Sequence, residues 1–225
     1  MHTKSTLAIV SAACLGGIAT LLIAAAPAAD VEMHPSHPLA KAADADPNEM
    51  MQKWMAVNAS RPAHEWLGHF VGEWDIEMSM WMDPGAPPTQ SKGHASVSWK
   101  FPGKFIQEDF SSDFMGTPYK GFGMTGFDNN RNQFVSMWCD AMGTGMMQMT
   151  GSVDPEMKTM CLVGSMDEPM TGEMGKAVMY VVTIHSPDRH SAEMKEIIYG
   201  EPFTVMRIDY KRSQPAFDPH ANRDN

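Results

Sequence analysis

Two glutamates carry the strongest chemical signal in this 225-residue chain. Glu108 shares a period-two register with Ile106 and Phe110, and Glu196 shares one with Met194 and Ile198. If those registers face a core, two carboxylates point into an apolar interior. An unpaired buried carboxylate is costly, so each would be protonated, paired, or turned to a wet or ligand-filled cavity. Inward polar groups orient ligands in binding pockets, and a glutamate of raised pKa also serves as a general base. A one-residue bulge would instead turn either side chain to solvent.

Methionine is the oddity of composition, with 23 in the chain. Met78, Met80 and Met82 form one group, and Met142, Met146, Met147 and Met149 another. Thioether clusters can hold copper(I), with His34, His37 and Met33 nearby in sequence as further ligands. The inward register of Met78, Met80 and Met82 favours ordinary core packing, then a permissive apolar cavity, and copper only third.

The histidines form no catalytic set. His64 and His69 are five residues apart, which misses the i, i+4 metal pair of a helix. His185 and His190 flank a turn, where solvation is expected, although they are the least unsuitable candidates for the axial histidine that a haem barrel would need. Asp128 and Asp140 read best as turn residues bonding their own backbone. No nucleophile elbow, P-loop, dinucleotide fingerprint or Cys-x-x-Cys is present. The residues alone therefore assign no catalytic group, no metal ligand and no cofactor.

The elements that must position these groups are mostly strands. Trp74, Ile76, Met78 and Met80 alternate with Glu73, Asp75, Glu77 and Ser79, and Ala95, Val97, Trp99 and Phe101 do the same further on. Turn chemistry at Asp83-Pro84-Gly85, Pro102-Gly103, Gly116-Thr117-Pro118, Asp128-Asn129-Asn130, Asp154-Pro155 and Pro187-Asp188 separates ten such segments. With no helical period between them, a parallel sheet is excluded. The expected fold is all-β: an antiparallel up-and-down β-barrel of about ten strands, with a short N-terminal helical segment. A bent, partly open sheet is the alternative.

Residues 1–29 read as a signal peptide: a short basic start, an apolar run from Leu7 to Ala26, then small residues up to Ala29. An uncleaved anchor or lipidation at Cys14 are the rivals. Residues 30–45 read as a disordered linker, 46–70 as a helical segment capping the barrel, 71–213 as the barrel, and 214–225 as a disordered tail. Asp46-Pro47-Asn48-Glu49 opens the helical segment as a capping box, with Met50, Met51, Trp54 and Met55 on one side. Cys139 and Cys161 fall on strands separated by another, too far apart to bridge, so two reduced, buried thiols are expected. A net charge of −10 with no basic stripe argues against nucleic acid.

The run His64-Glu65-Trp66-Leu67-Gly68-His69-Phe70-Val71-Gly72-Glu73-Trp74 resembles the start of the domain-of-unknown-function family 1579. The likeness continues through Gly121-Phe122-Gly123-Met124-Thr125-Gly126-Phe127-Asp128, Trp138 to Gly145, and Met206-Arg207-Ile208-Asp209-Tyr210. It implies an exported, lipocalin-like barrel and brings no assigned activity. Gly72-x-Trp74 is also like the opening strand of the wider calycin group, in which the tryptophan plugs one barrel end. Arg207 stands where the family pattern leads one to expect an acid.

Taken together, these readings point to a periplasmic or secreted, non-enzymatic barrel holding a small apolar or amphipathic ligand. Trp74, Met78, Trp99, Glu108, Trp138 and Glu196 are the candidate lining residues. No nucleic-acid partner and no stable membrane insertion after cleavage are expected, and the sequence leaves the oligomeric state open. The other classes are an enzyme using one of the glutamates as base, and a structural barrel filled by its own side chains. A cavity of about 300 Å³ or more separates an ordinary ligand binder from the last of these.

Overall fold

The computed structural model describes residues 46–114, 116–169, 171–198 and 200–213. The residues expected to form a signal peptide, a linker and a C-terminal tail fall outside them. The chain divides into two units, residues 1–53 and 54–225. Helix α1 (Pro47–Val57) crosses that division. The Asp46 carboxylate accepts the Asn48 N–H at 2.9 Å as an N-cap. Of the apolar side chains of α1, Met50, Met51, Trp54, Met55 and Val57 are all exposed.

The second unit holds α2 (Pro62–Trp66), a 3-10 turn (Leu67–Phe70) and ten strands. These are β1 (Gly72–Met80), β2 (Thr89–Phe101), β3 (Phe105–Phe114), β4 (Thr117–Asp128) and β5 (Gln133–Asp140). They continue as β6 (Met147–Val153), β7 (Thr159–Glu168), β8 (Glu173–Ser186), β9 (Arg189–Ile198) and β10 (Glu201–Arg212). Each strand pairs antiparallel with its sequence neighbours, and β1 also pairs with β10, closing the barrel. Closure satisfies the backbone groups that an open sheet would leave along two edges. No helix among the described residues is long and apolar enough to cross a membrane.

Alternation sets which side chains enter the barrel. In β1, Trp74, Ile76 and Met78 are buried between exposed Glu73, Asp75 and Glu77. Residues opposite each other across an antiparallel pair share a face, so the register carries this assignment around the barrel. Gly72, Val97, Glu108, Gly123, Trp138 and Met147 form one such inward row. Met80, Met206 and Met194 form another, nearer the opposite end. A bulge between Thr204 and Met206 lets both Phe203 and Met206 face the even-numbered, inward residues of β9.

The end of the barrel at the start of β1 is plugged. Pro62 starts α2, and the Arg61 N–H donates to His64 Nδ1 at 3.0 Å. Trp66, Leu67 and Phe70 are buried in the barrel core. Hydrogen bonds tie this plug to all four hairpins at that end. Ser60 donates to the Gly103 carbonyl at 2.8 Å and Trp66 to the Met157 carbonyl at 2.7 Å. Arg61 donates to the Asn129 carbonyl at 3.4 Å, while the Asn129 amide donates to the carbonyls of Val57 and Ala59. Arg212 donates to the carbonyls of Pro187, Val71 and His69, and its guanidinium lies 4.2 Å over the Trp74 ring.

Two expectations need correction. Cys139 (β5) and Cys161 (β7) are free and separated by β6, but half-buried on the outer face rather than in the core. His190 is buried rather than solvated, because as the second residue of β9 it already follows the inward register.

Candidate functional site

The barrel interior contains a cavity of about 60 Å³. Leu67 and Phe70 of the plug form its floor, and Ile106, Leu162 and Val182 supply apolar wall. Glu108 is its only carboxylate. Neither of its flanking pairs is bulged: Val97 lies opposite on β2 and Gly123 on β4. The Tyr210 hydroxyl donates to Glu108 Oε1 at 3.1 Å, joining positions 102 residues apart. The hydroxyls of Tyr180 and Tyr210 in turn hydrogen-bond each other. On β4 and β5, Thr125 and Ser136 face the same cavity, their hydroxyls 2.9 Å apart.

Burial governs the electrostatics. Desolvation pushes Glu108 up to about 7, against the opposing pull of the Tyr210 hydrogen bond. The Glu108 side chain is half-buried and lines the cavity. Tyr180 and Tyr210 are likewise held as neutral phenols, chiefly by burial and then by the Glu108 charge. His190 is driven down to about 3, by burial first and then by Arg212 and His185. Its ring stacks on Tyr210 at 4.2 Å and meets Trp74 and Phe70 edge-on. A packed, neutral imidazole of this kind is a wall of the site.

The six residues singled out from the sequence occupy different places. Glu108 lines the cavity. Trp74 lies at the plugged end, 1% exposed, donating to the Phe70 carbonyl at 2.7 Å. Trp99 faces Gly68 of the plug. Trp138 donates to the Tyr119 hydroxyl at 3.2 Å, and its indole fills the space where a Cβ on Gly121 would stand. Met78 lines a second hollow of about 10 Å³ with Met80, Met82 and Asp113. Met82 follows the end of β1 and is exposed, outside the inward register expected for it. Glu196 is buried but does not line the cavity, because Lys176 Nζ holds its Oε2 at 2.6 Å. That contact also raises the Lys176 pKa.

Sequence reading missed Tyr180, Tyr210 and His190. Each shares a register with residues recognisable as inward: Val178 and Val182, Ile208, and Ala192. Asp128 and Asp140 accept backbone N–H groups of their own turns, from Asn130 and Arg131 and from Met142 and Gly143. No cluster of three or more His, Cys, Asp or Glu arranged for a metal occurs among the described residues.

These features define an antiparallel barrel with one end plugged and a small, mostly apolar chamber carrying one carboxyl–tyrosine cluster. The chain belongs to the family described as "Protein of unknown function (DUF1579)", which it matches over residues 59–212. No curated protein matches it. Among solved structures it is similar to one described as the crystal structure of Rv2717c from M. tuberculosis, at 18% identity and a TM-score of 0.47. That match covers 69% of this chain and 100% of the other. It is also similar to one described as EF1p2_mFAP2b bound to DFHBI, at 11% identity and a TM-score of 0.38. There the coverage is 67% and 99%. Likenesses this distant carry no inference about what this barrel holds.

Proposed function

We propose that this protein is an exported binding barrel, acting in the periplasm or outside the cell on a small apolar or amphipathic molecule. The observation that carries the reading is Glu108, an ionisable carboxyl that lines a mostly apolar chamber. A barrel selected only for stability gains nothing from a carboxyl there, since burial opposes its charge. A ligand that bonds to it turns that cost into affinity and orientation. The ligand enters at the end opposite the plug, past Met78, Met80, Met194 and Met206, whose unbranched side chains rearrange easily.

The volume of about 60 Å³ favours a second reading. It is well below the roughly 300 Å³ of an ordinary ligand pocket, as expected of a structural barrel filled by its own side chains. Native mass spectrometry of the mature protein, purified gently from its host's envelope, separates the two. A reproducible extra mass of a small organic molecule is expected. A bare polypeptide mass, unchanged after incubation with a lipid and fatty-acid extract, would leave the filled barrel as the answer.

A further inference from the structure

We propose that the group received by Glu108 is a protonated amine, so that the ligand is a small organic cation with a short apolar body. The inference rests on the binding reading above and specifies its chemistry.

Three observations lead to it. First, the charge inventory of the chamber is one-sided. Glu108 is its only carboxylate, and no lysine or arginine lines it. Lys176 is bound to Glu196, and Arg212 to Asp188 and to backbone carbonyls of the plugged end. His190, the one basic ring in the wall, is packed against Tyr210, Trp74 and Phe70. Asp109, next in the chain, adds further negative potential.

Second, Glu108 offers more acceptor than the hydroxyls around it satisfy. Tyr210 donates to Oε1, Tyr180 bonds to Tyr210, and Thr125 and Ser136 bond to each other. No hydrogen bond from the described residues reaches Oε2. What the chamber leaves open is therefore an acceptor, and the matching ligand group is an N–H donor. A carboxylate ligand would meet the like charge of Glu108, with one proton of the Thr125–Ser136 pair as the free hydroxyl donor in the wall.

Third, the walls suit a cation stripped of water. The rings of Tyr180 and Tyr210 border the same space, and aromatic faces attract ammonium groups. The volume fits an ammonium head with its first carbons, the rest of the body extending toward the methionine row.

Three probes of matched length, butylamine, butanol and butyrate, test the assignment at pH 8 by calorimetry and thermal shift on the mature protein. Butylamine is expected to bind at least tenfold more tightly than butanol, and butyrate least. Glu108→Gln is expected to remove the amine preference while still binding butanol, and Glu108→Asp to keep part of it. Equal binding of all three, or an amine preference that survives Glu108→Gln in a folded variant, overturns the charge assignment and leaves the binding barrel standing. If none of the three binds, the amine assignment falls, and the extra mass alone decides the binding barrel.

Discussion

The two ends of this barrel are built on different principles. At the plugged end, aromatic side chains fill the opening and hydrogen bonds tie the plug to every hairpin it meets. At the other end the interior carries Met80, Met206 and Met194 in a row, and one ion pair between Lys176 and Glu196. Directional bonds and stiff rings fix one geometry, whereas methionine accommodates several. Stability should therefore concentrate at the plug, and adaptability at the opposite end.

The largest test of this contrast is Leu67→Ala at the plug. Leu67 is fully buried, and a cavity left at such a site costs about 3 kcal/mol, within the usual range for Leu→Ala. Urea unfolding should show the loss, and a cost under about 1 kcal/mol would refute the plug's role.

Glu108 probes the chamber between the two ends. Its pKa is higher folded than unfolded, so the protein is favoured below the unfolded value and loses that stability as pH rises from about 4.5 through about 7. Glu108→Gln should flatten the decline, with a gain on the order of 3 kcal/mol at pH 8 from a shift of this size. His190 works in the other direction. Its lowered pKa costs stability as pH falls from 6.5 toward 3, so His190→Phe should resist acid better in thermal melts below pH 6.

Smaller effects belong to the end opposite the plug. Lys176→Met leaves Glu196 without its partner and should cost about 1–2 kcal/mol, discounted for partial exposure. The double replacement Lys176→Met with Glu196→Met should recover most of that in a double-mutant cycle. Smallest of all, Met80→Leu or Met206→Leu should change stability by less than about 1.5 kcal/mol, as volume-conserving swaps do. The same changes should slow ligand uptake in stopped-flow, because branched side chains rearrange less readily. A methionine swap that costs more than Leu67→Ala would invert the comparison.

Much of this was legible in the chain. Period-two alternation around Trp74 and Val97, broken by Gly, Pro and Asp turns, is local information, and it placed all ten strands while leaving Glu108 inward or, with a bulge, outward. The early start of β2 at Thr89 was not legible, since Thr89-Gln90-Ser91-Lys92 shows no apolar alternation. Partners were harder still. Whether Glu196 meets Lys176, or Glu108 meets Tyr210, depends on how distant strands align, and only closure of the barrel fixes that. His190 was misjudged because the neighbouring Pro187-Asp188 turn outweighed its register with Ala192, a strand signal equally present.

The pairing of β1 with β10 sets an order on the molecule's assembly. A chain emerging from its N-terminus has Trp74 long before Arg212, the residue that lies over its ring and fastens the plug to the last hairpin. Until Arg212 is available, the sheet keeps two unpaired margins and the plug lacks its tie to the last hairpin. Closure of the barrel is therefore deferred by topology until β10 has been made.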